Sequence, residues 1–304
     1  MSTRITTDMV LGSTLADINN AQLALERSQR ELSSGKAILR PSDNPVGTSQ
    51  VIMLQSALDG LGSYERSAHD GGAWLKAAGG ALSSLGELTQ RVRELMLQAS
   101  NGVNSHSDLE DIAQEIEQLT EMAKQQADTQ YAGQYIFSGT LTATAPYVQG
   151  AGDEYQGNAG TIARSIGPGA SVDVTVSIQS LLGEGQNAGD GKLLDTLRTV
   201  AKNLREGTPA AMKAVSGEDL EALQTSLDTL DSLQAQVGAA SDQVTSALNR
   251  VEDLQNTTTA QLSNIQDANF AQVSMEFSSQ QAAYDAALRA GATIVQQSLL
   301  EFLR

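Results

Sequence analysis

The chain has no cysteine in 304 residues, which removes disulfides, thiolate metal sites and cysteine nucleophiles together. Histidine is nearly as scarce, with only His69 and His106, too few for a histidine-built metal site. Aromatic residues amount to 4%, with one Trp, four Phe and six Tyr, less than a globular enzyme core commonly uses. Five prolines leave long helices few interruptions. No stretch approaches the ~18 consecutive apolar residues that span a bilayer. The opening Met1-Ser-Thr-Arg-Ile-Thr-Thr-Asp8 lacks the apolar segment of a cleavable signal peptide. The expectation is a chain that stays in the cytoplasm or leaves it by a route needing no such peptide.

Positive charge is also short. The net charge of −17 argues against a nucleic-acid backbone or an anionic membrane surface as partner. Its distribution says more. Residues 1–40 sum to +1, residues 265–304 to −2, and the middle carries −16. Near-neutral ends tolerate crowding against copies of themselves, while an acidic middle suits a solvated surface.

What the chain does have is heptad periodicity. Leu11, Ile18, Leu25 and Leu32 recur every seven residues, with Leu15 and Ala21 widening the stripe, which places one apolar face of a helix toward a partner helix. Ser33-Ser-Gly35 supplies a stop. Asn44 then reads as an N-cap with Pro45 at the first helical position. A long helix is expected over about 46–100, with possible kinks at Gly71-Gly72 and Gly79-Gly80. A third is expected over about 107–131, capped by Ser107 with Glu110. From 138 the character changes: glycines crowd in, and Val172, Val174, Val176 and Ile178 alternate with polar residues, as in a half-buried strand. Residues 162–166, Gly167-Pro-Gly169 and this strand read as a hairpin. Helical spacing returns at Leu193. Leu223, Leu230, Val237, Val244 and Val251 then continue by sevens through Thr258 to Ile265, and the last segment presents Val273, Phe277, Tyr284, Leu288, Val295, Leu299 and Phe302.

The expected fold is therefore mainly α. Residues 1–40 and 265–304 form a terminal helical assembly domain with antiparallel helices. Residues 41–137 and 186–264 form a helical core, and 138–185 an inserted β domain. Leu11, Ile18, Leu25, Leu32, Ile265, Val273, Phe277, Tyr284, Leu288, Val295, Leu299 and Phe302 are the candidate interface residues. An isolated helix gains most of its stability by burying its stripe, and a two-helix layer leaves a second side in water. The ends are thus expected to be ordered chiefly when neighbouring copies cover them.

Chemical motifs are weak throughout. Gly183-Glu-Gly-Gln-Asn-Ala-Gly-Asp-Gly-Lys192 has the wrong glycine spacing for a phosphate loop, and Leu193 stands where Ser or Thr is needed. Glu115 with Glu117, and Asp108, Glu110 and Asp111, read as solvated helix faces. Asn256-Thr-Thr258 matches a glycosylation sequon inside a helical repeat and reads as incidental. His69 and His106 read as exposed polar residues and Trp74 as a packing residue. Neither catalysis nor a metal or other cofactor is expected.

Taken together, several runs resemble the flagellin family of axial proteins, and within it the members at the hook–filament junction. These are Arg4-Ile-Thr-Thr-Asp-Met9, Leu32-Ser-Ser-Gly-Lys36 followed by Arg40-Pro-Ser-Asp-Asn-Pro45, Gln134-Tyr-Ile-Phe-Ser-Gly139, Tyr155-Gln-Gly157, and Gln280-Gln-Ala-Ala-Tyr284 with Leu299-Leu-Glu-Phe-Leu303. The resemblance implies export through the flagellar type III apparatus and assembly as a ring of about one helical turn. The implied neighbours are the first hook-associated protein and flagellin, and the implied escort is an export chaperone on the C-terminal helix. It further implies terminal helices at a central channel and a β domain toward solvent. Two alternatives stay open. A flagellin filament subunit shares the Leu-Ser-Ser-Gly run and an ending like Leu303-Arg304. A cytoplasmic coiled-coil scaffold shares the heptads but gives no reason for an inserted β domain.

Overall fold

The computed structural model describes the backbone of residues 7–101, 104–150, 152–185 and 189–302, and toward the two ends the side chains of 9 and 12–293. The elements run α1 (Thr7–Ser34), α2 (Pro45–Ser100), α3 (His106–Ala127), β1 (Gln130–Tyr131), β2 (Gln134–Tyr135), β3 (Ala163–Gly167), β4 (Ala170–Asp173), α4 (Gln179–Leu182), α5 (Leu193–Glu206), α6 (Pro209–Ser216), α7 (Glu218–Gln266) and α8 (Phe270–Phe302). Contacts divide the chain into two compact units, one of residues 1–60 with 254–304 and one of 61–253. No helix among the described residues is long and apolar enough to cross a membrane.

The 61–253 unit holds the main core. α2 is one unbroken helix of 56 residues, about 80 Å long at 1.5 Å per residue. Of the glycines that raised the expectation of kinks, Gly71, Gly72 and Gly79 serve packing instead, while Gly80 faces open space. Gly72, Gly79 and Gly86 lie seven apart and face Val244, Val237 and Leu230, seven apart in the opposite sense. A Cβ on each would stand 3.5, 3.6 and 3.2 Å from the facing methyl. The α7 heptad thus runs antiparallel along α2, and small residues let the backbones close up. Gly71 plays the same part toward the hairpin, where a Cβ would meet Arg164 and Val174 at 3.3 Å.

Two expectations about α3 are corrected. Its N-cap is Ser105, whose hydroxyl accepts from the Asp108 N–H at 3.3 Å while Asp108 accepts from the Ser105 N–H at 2.8 Å. Ser107 and Glu110 each lie two residues too late. The helix also stops at Ala127, short of 131. Ala132 and Gly133 both take positive φ, 50° and 78°, and close a two-residue β1–β2 hairpin. α6 is a helix that the apolar pattern did not single out, opened by Thr208 accepting from Ala211 N–H and by Pro209.

The β3–β4 hairpin is antiparallel, and the burial alternation holds, with Val172, Val174, Val176 and Ile178 buried and Asp173 and Ser177 exposed. The strand expected through Ile178 is corrected: its ladder ends at Asp173, and the chain continues without a partner strand to Ile178 at the start of α4. This β region is a small insert, and its side chains share one core with the helices. Two of its runs lock together. The Tyr155 hydroxyl donates to the Phe137 carbonyl at 2.8 Å. Gly139, at φ 65°, passes so near Asn158 that a Cβ would sit 2.2 Å from its backbone oxygen, so only glycine fits.

Beneath the segment at 147–158 lies a buried ion cluster for which the sequence offered no periodic signal. Lys124, fully buried, places Nζ 3.2 Å from Asp153 and 3.3 Å from Glu121. Arg198 grips Asp153 at 3.0 Å through Nε and reaches Glu121 at 2.6 Å. Burial pushes the Asp153 carboxyl up, but hydrogen bonds and charge from Arg198 and then Lys124 outweigh it and hold the group below the ordinary range. Glu121 is likewise held low, by the Gly150 N–H and Arg198 acting against burial. Groups depressed in the folded state contribute stability above their unfolded range, which is lost as pH falls through their folded values. The stability that this cluster contributes is therefore expected to hold from neutral pH down to about 4 and to decline below it. Asp153→Asn, which leaves buried cations short of a partner, should cost about 3–5 kcal/mol at neutral pH and flatten that acid limb. Denaturation followed through the single, buried Trp74 measures both.

Candidate assembly surface

The other unit is built on a corner. Gly35 leaves α1 at φ 69°, and its carbonyl accepts from Ala268 N–H at 2.9 Å while Ala37 N–H donates to the Gln266 carbonyl at 2.7 Å. Lys36 and Asp267 form a bridge between those bonds. Asp43 then accepts from the N–H groups of Arg40 and Leu39 at 2.8 and 3.2 Å. The Arg40 bond, acting against burial, chiefly holds its carboxyl below the usual range. Asn44 caps α2 by accepting from Gly47 N–H at 2.9 Å, as expected for Pro45 at the first helical position. Gly47 packs closely under Ile38, whose Cδ1 would lie 2.6 Å from a Cβ there and would have to shift to admit one. The run from Leu32 to Pro45 is thus the wiring of a turn that joins three helix ends.

From that corner α1 and α8 run antiparallel in contact. The seam positions on α1 are Thr14, Ile18, Ala21, Leu25, Ser28 and Leu32, with Ala24 and Glu31 half-buried beside them. Those on α8 are Val273, Phe277, Gln280, Tyr284, Ala287 and Gly291, with Ser274 half-buried beside them. Both sets step by four and three, the spacing of a knobs-into-holes seam. Ser28 donates from Oγ to Gln280 Oε1 across it. At the far end a Cβ on Gly291 would lie 3.0 Å from Ile18 Cδ1 and 3.5 Å from Thr14 Cγ2.

The candidate residues distribute as follows. Ile18, Leu25, Leu32, Val273, Phe277 and Tyr284 come together along the seam. Ile265 is half-buried at the end of α7, lining a shallow apolar depression with Met53 and Leu54. Leu288 is 42% exposed and lies beside the seam, and Leu15, read as part of the stripe, is 56% exposed. Helix α1 has turned Leu15 away because its seam follows positions 14 and 18. The side chains of Leu11, Val295, Leu299 and Phe302 fall outside the described residues. The sequence reading passed over Ser28, Gln280, Ala287 and Gly291, which are polar or small and invisible to a search for apolar side chains. The four–three spacing was the signal that could have found them.

The electrostatics here are mild. Arg27 pairs with Glu31 at 2.9 Å on the exposed face of α1. Exposed ion pairs of this kind contribute little. Apolar area dominates instead. Among the described residues this unit buries three hydrophobic side chains, Ile38, Val51 and Val273, while eleven of the fifteen exposed large hydrophobics of the chain belong to it. Met9, Leu23, Val46, Met53, Phe270 and Met275 are each more than 60% exposed.

Comparison with known proteins follows the same division. Residues 5–142 match the bacterial flagellin N-terminal helical region, and residues 220–303 match the bacterial flagellin C-terminal helical region. Flagellin of Salmonella dublin is 35% identical over 139 residues, covering 45% of this chain and 28% of that protein, so the chain matches little more than a quarter of the length of such relatives. Two solved structures from Legionella pneumophila share the fold. The flagellar hook associated protein-3 is 15% identical with a TM-score of 0.62, covering 71% of this chain and 98% of that one. The flagellar junction protein FlgL is 15% identical with a TM-score of 0.58, covering 71% and 99%.

With so few buried side chains between them, α1 and α8 should open far more readily than the core in the isolated chain. Hydrogen exchange on the monomer should show amides of α1 and α8 exchanging orders of magnitude faster than those of α2 between 74 and 96. Equal protection of the two would sink the idea that assembly orders the ends.

Proposed function

The chain belongs to the flagellin family, and from that premise we propose that it is a structural axial subunit joining the hook of the bacterial flagellum to its filament. The observation that carries this reading is the paired terminal helices with six large apolar side chains left in water, Met9, Leu15, Leu23, Phe270, Met275 and Leu288. Such a pair is incomplete alone and complete within a stack of copies. The likeness in fold to a junction protein and a hook-associated protein supports the junction over other axial positions, as do the runs Arg4–Met9 and Gln134–Gly139. In this reading the subunit forms a ring of about one helical turn with copies of itself. It meets the first hook-associated protein on one side and flagellin on the other, and the acidic −16 middle tolerates solvent. Its residence is then the extracellular flagellum. Export proceeds through the flagellar type III apparatus, with a chaperone covering the C-terminal helix beforehand. No catalytic role, cofactor, nucleic acid or membrane enters the proposal.

A filament subunit is the second reading, favoured by the 35% identity to flagellin over the matched residues. Electron microscopy of cells lacking the gene separates the two. The junction role requires intact hooks without filaments and flagellin lost to the medium. Normal filaments would refute it, and a simple absence of flagellin would favour the second reading.

Two substitutions divide the surface into its parts. Leu25→Asp places a carboxylate in the seam, where the loss far exceeds the ~1.5–3 kcal/mol of the aliphatic side chain. It should abolish assembly and unpair α1 from α8. Leu288→Asp, on the open side, should leave the monomer's stability within about 0.5 kcal/mol and still block assembly. Full motility of either variant in the deletion strain would contradict the terminal-helix surface.

A further inference from the structure

Phe270 stands apart from the other described phenylalanine side chains. Phe137 is fully buried and Phe277 half-buried in the seam, whereas Phe270 is 68% exposed. It occupies the first position of α8. Asn269 caps that helix, its Oδ1 accepting from Gln272 N–H at 3.3 Å and its carbonyl from Val273 N–H at 2.9 Å. Capping asks nothing aromatic of the residue that follows. The backbone carrying the ring is pinned on both sides, by that cap and by the Ala268 N–H donating to the Gly35 carbonyl at 2.9 Å, so the ring is held out in water. The same unit carries an open depression of about 380 Å³, lined by apolar Met53, Leu54 and Ile265 and by the amides of Gln50, Gln261 and Asn264. Both features lie in charge-free stretches. No charged residue occurs over 44–58, 254–266 or 268–275, in a chain that is 18% charged.

Interface cores are depleted of charge and enriched in aromatic residues and methionine. Both halves of such a contact are present on this one unit: a ring held out in water, and an uncharged seat edged by Met53. We propose that the depression at Met53, Leu54 and Ile265 seats Phe270 of a second copy, a contact that rests on the assembly reading above and gives it a specific site. Ring and seat are different surfaces, so a copy that has used one still offers the other, and the contact repeats from copy to copy instead of being exhausted in a pair. A phenylalanine side chain buries about 150–250 Å², against the roughly 1,200–2,000 Å² of a stable pair. The contact is therefore weak between free chains and becomes effective where copies are concentrated.

The absence of native cysteine allows the contact to be trapped between two full chains, each with a single cysteine beside an intact half of it. One carries Ala271→Cys, next to the ring, and the other Gln261→Cys, at the depression; both positions are exposed. At high concentration under mild oxidation, the mixed disulfide should exceed that formed with a Met122→Cys chain, a 46% exposed site on α3, by a factor on the order of ten. Adding Phe270→Ala to the first chain, or Met53→Glu to the second, should bring the yield down to the Met122→Cys level. Phe270→Leu should keep much of it. In a separate Phe270→Trp chain, iodide should quench the new indole at dilution and lose access to it at high concentration, while the buried Trp74 reports an intact 61–253 unit. A yield equal to the Met122→Cys level, a yield indifferent to Phe270→Ala, or an indole already shielded at dilution, which would put the ring on its own chain, would each overturn the proposal. The readout uses purified chain and no flagellum, so failure of the junction role and failure of this contact are told apart.

Discussion

A pair of helices can bury one side of each helix and no more. That constraint governs the terminal half of this molecule. α1 and α8 close a seam, yet the seam uses alanine, serine, glycine and glutamine beside its few large side chains, so the apolar area removed from water is small. The remaining apolar side chains sit on the outside. A soluble monomer would be expected to exchange those for charge. Here they are retained near electrical neutrality, the condition under which many copies can crowd. The corner at Gly35–Gly47 and Gln266–Asn269 holds the two helix ends in place without a core, using backbone hydrogen bonds and two carboxamide or carboxylate caps.

The 61–253 unit solves the opposite problem. It has to stand alone, and it does so with a long antiparallel contact in which glycines of α2 receive the valines and leucine of α7 at a common step of seven. Around this contact α3 packs on α5, and the hairpin adds its alternating valines to the same core. The irregular segment at 147–158 contributes little apolar area of its own. Its attachment comes from carboxylates: Asp153 clamped between Lys124 and Arg198, Glu121 accepting from Gly150 N–H at 3.0 Å, and Asp128 accepting from Tyr147 N–H at 3.3 Å. Tyr147 adds its hydroxyl to the Gly183 carbonyl at 2.7 Å, which ties the second glycine-rich loop to the first. Buried ions are poor sources of net stability but good sources of uniqueness, and a loop of this composition has few other ways to hold one conformation.

Repetition determined what the sequence by itself could specify. Heptads at 11–32 and 223–265, a two-residue alternation at 172–178, and punctuation at Gly35, Asn44 and Gly139 each encode local geometry through side chains near one another in the chain. They were enough for a mainly α fold with paired ends and a small β insert, and for the resemblance that points to the flagellum. Tertiary structure alone decided the rest. It showed that glycines at 72 and 79 are contact points rather than weak points, and that Ser105 rather than Ser107 starts α3. It showed that Leu15 and Leu288 face away from the seam that Ser28 and Gln280 share, and that Lys124 finds its counter-ion 29 residues away. The physical reason is common to all of these. A periodic apolar stripe records that a partner exists, but a polar or absent side chain acquires meaning only from the atoms opposite it, and those come from distant parts of the chain.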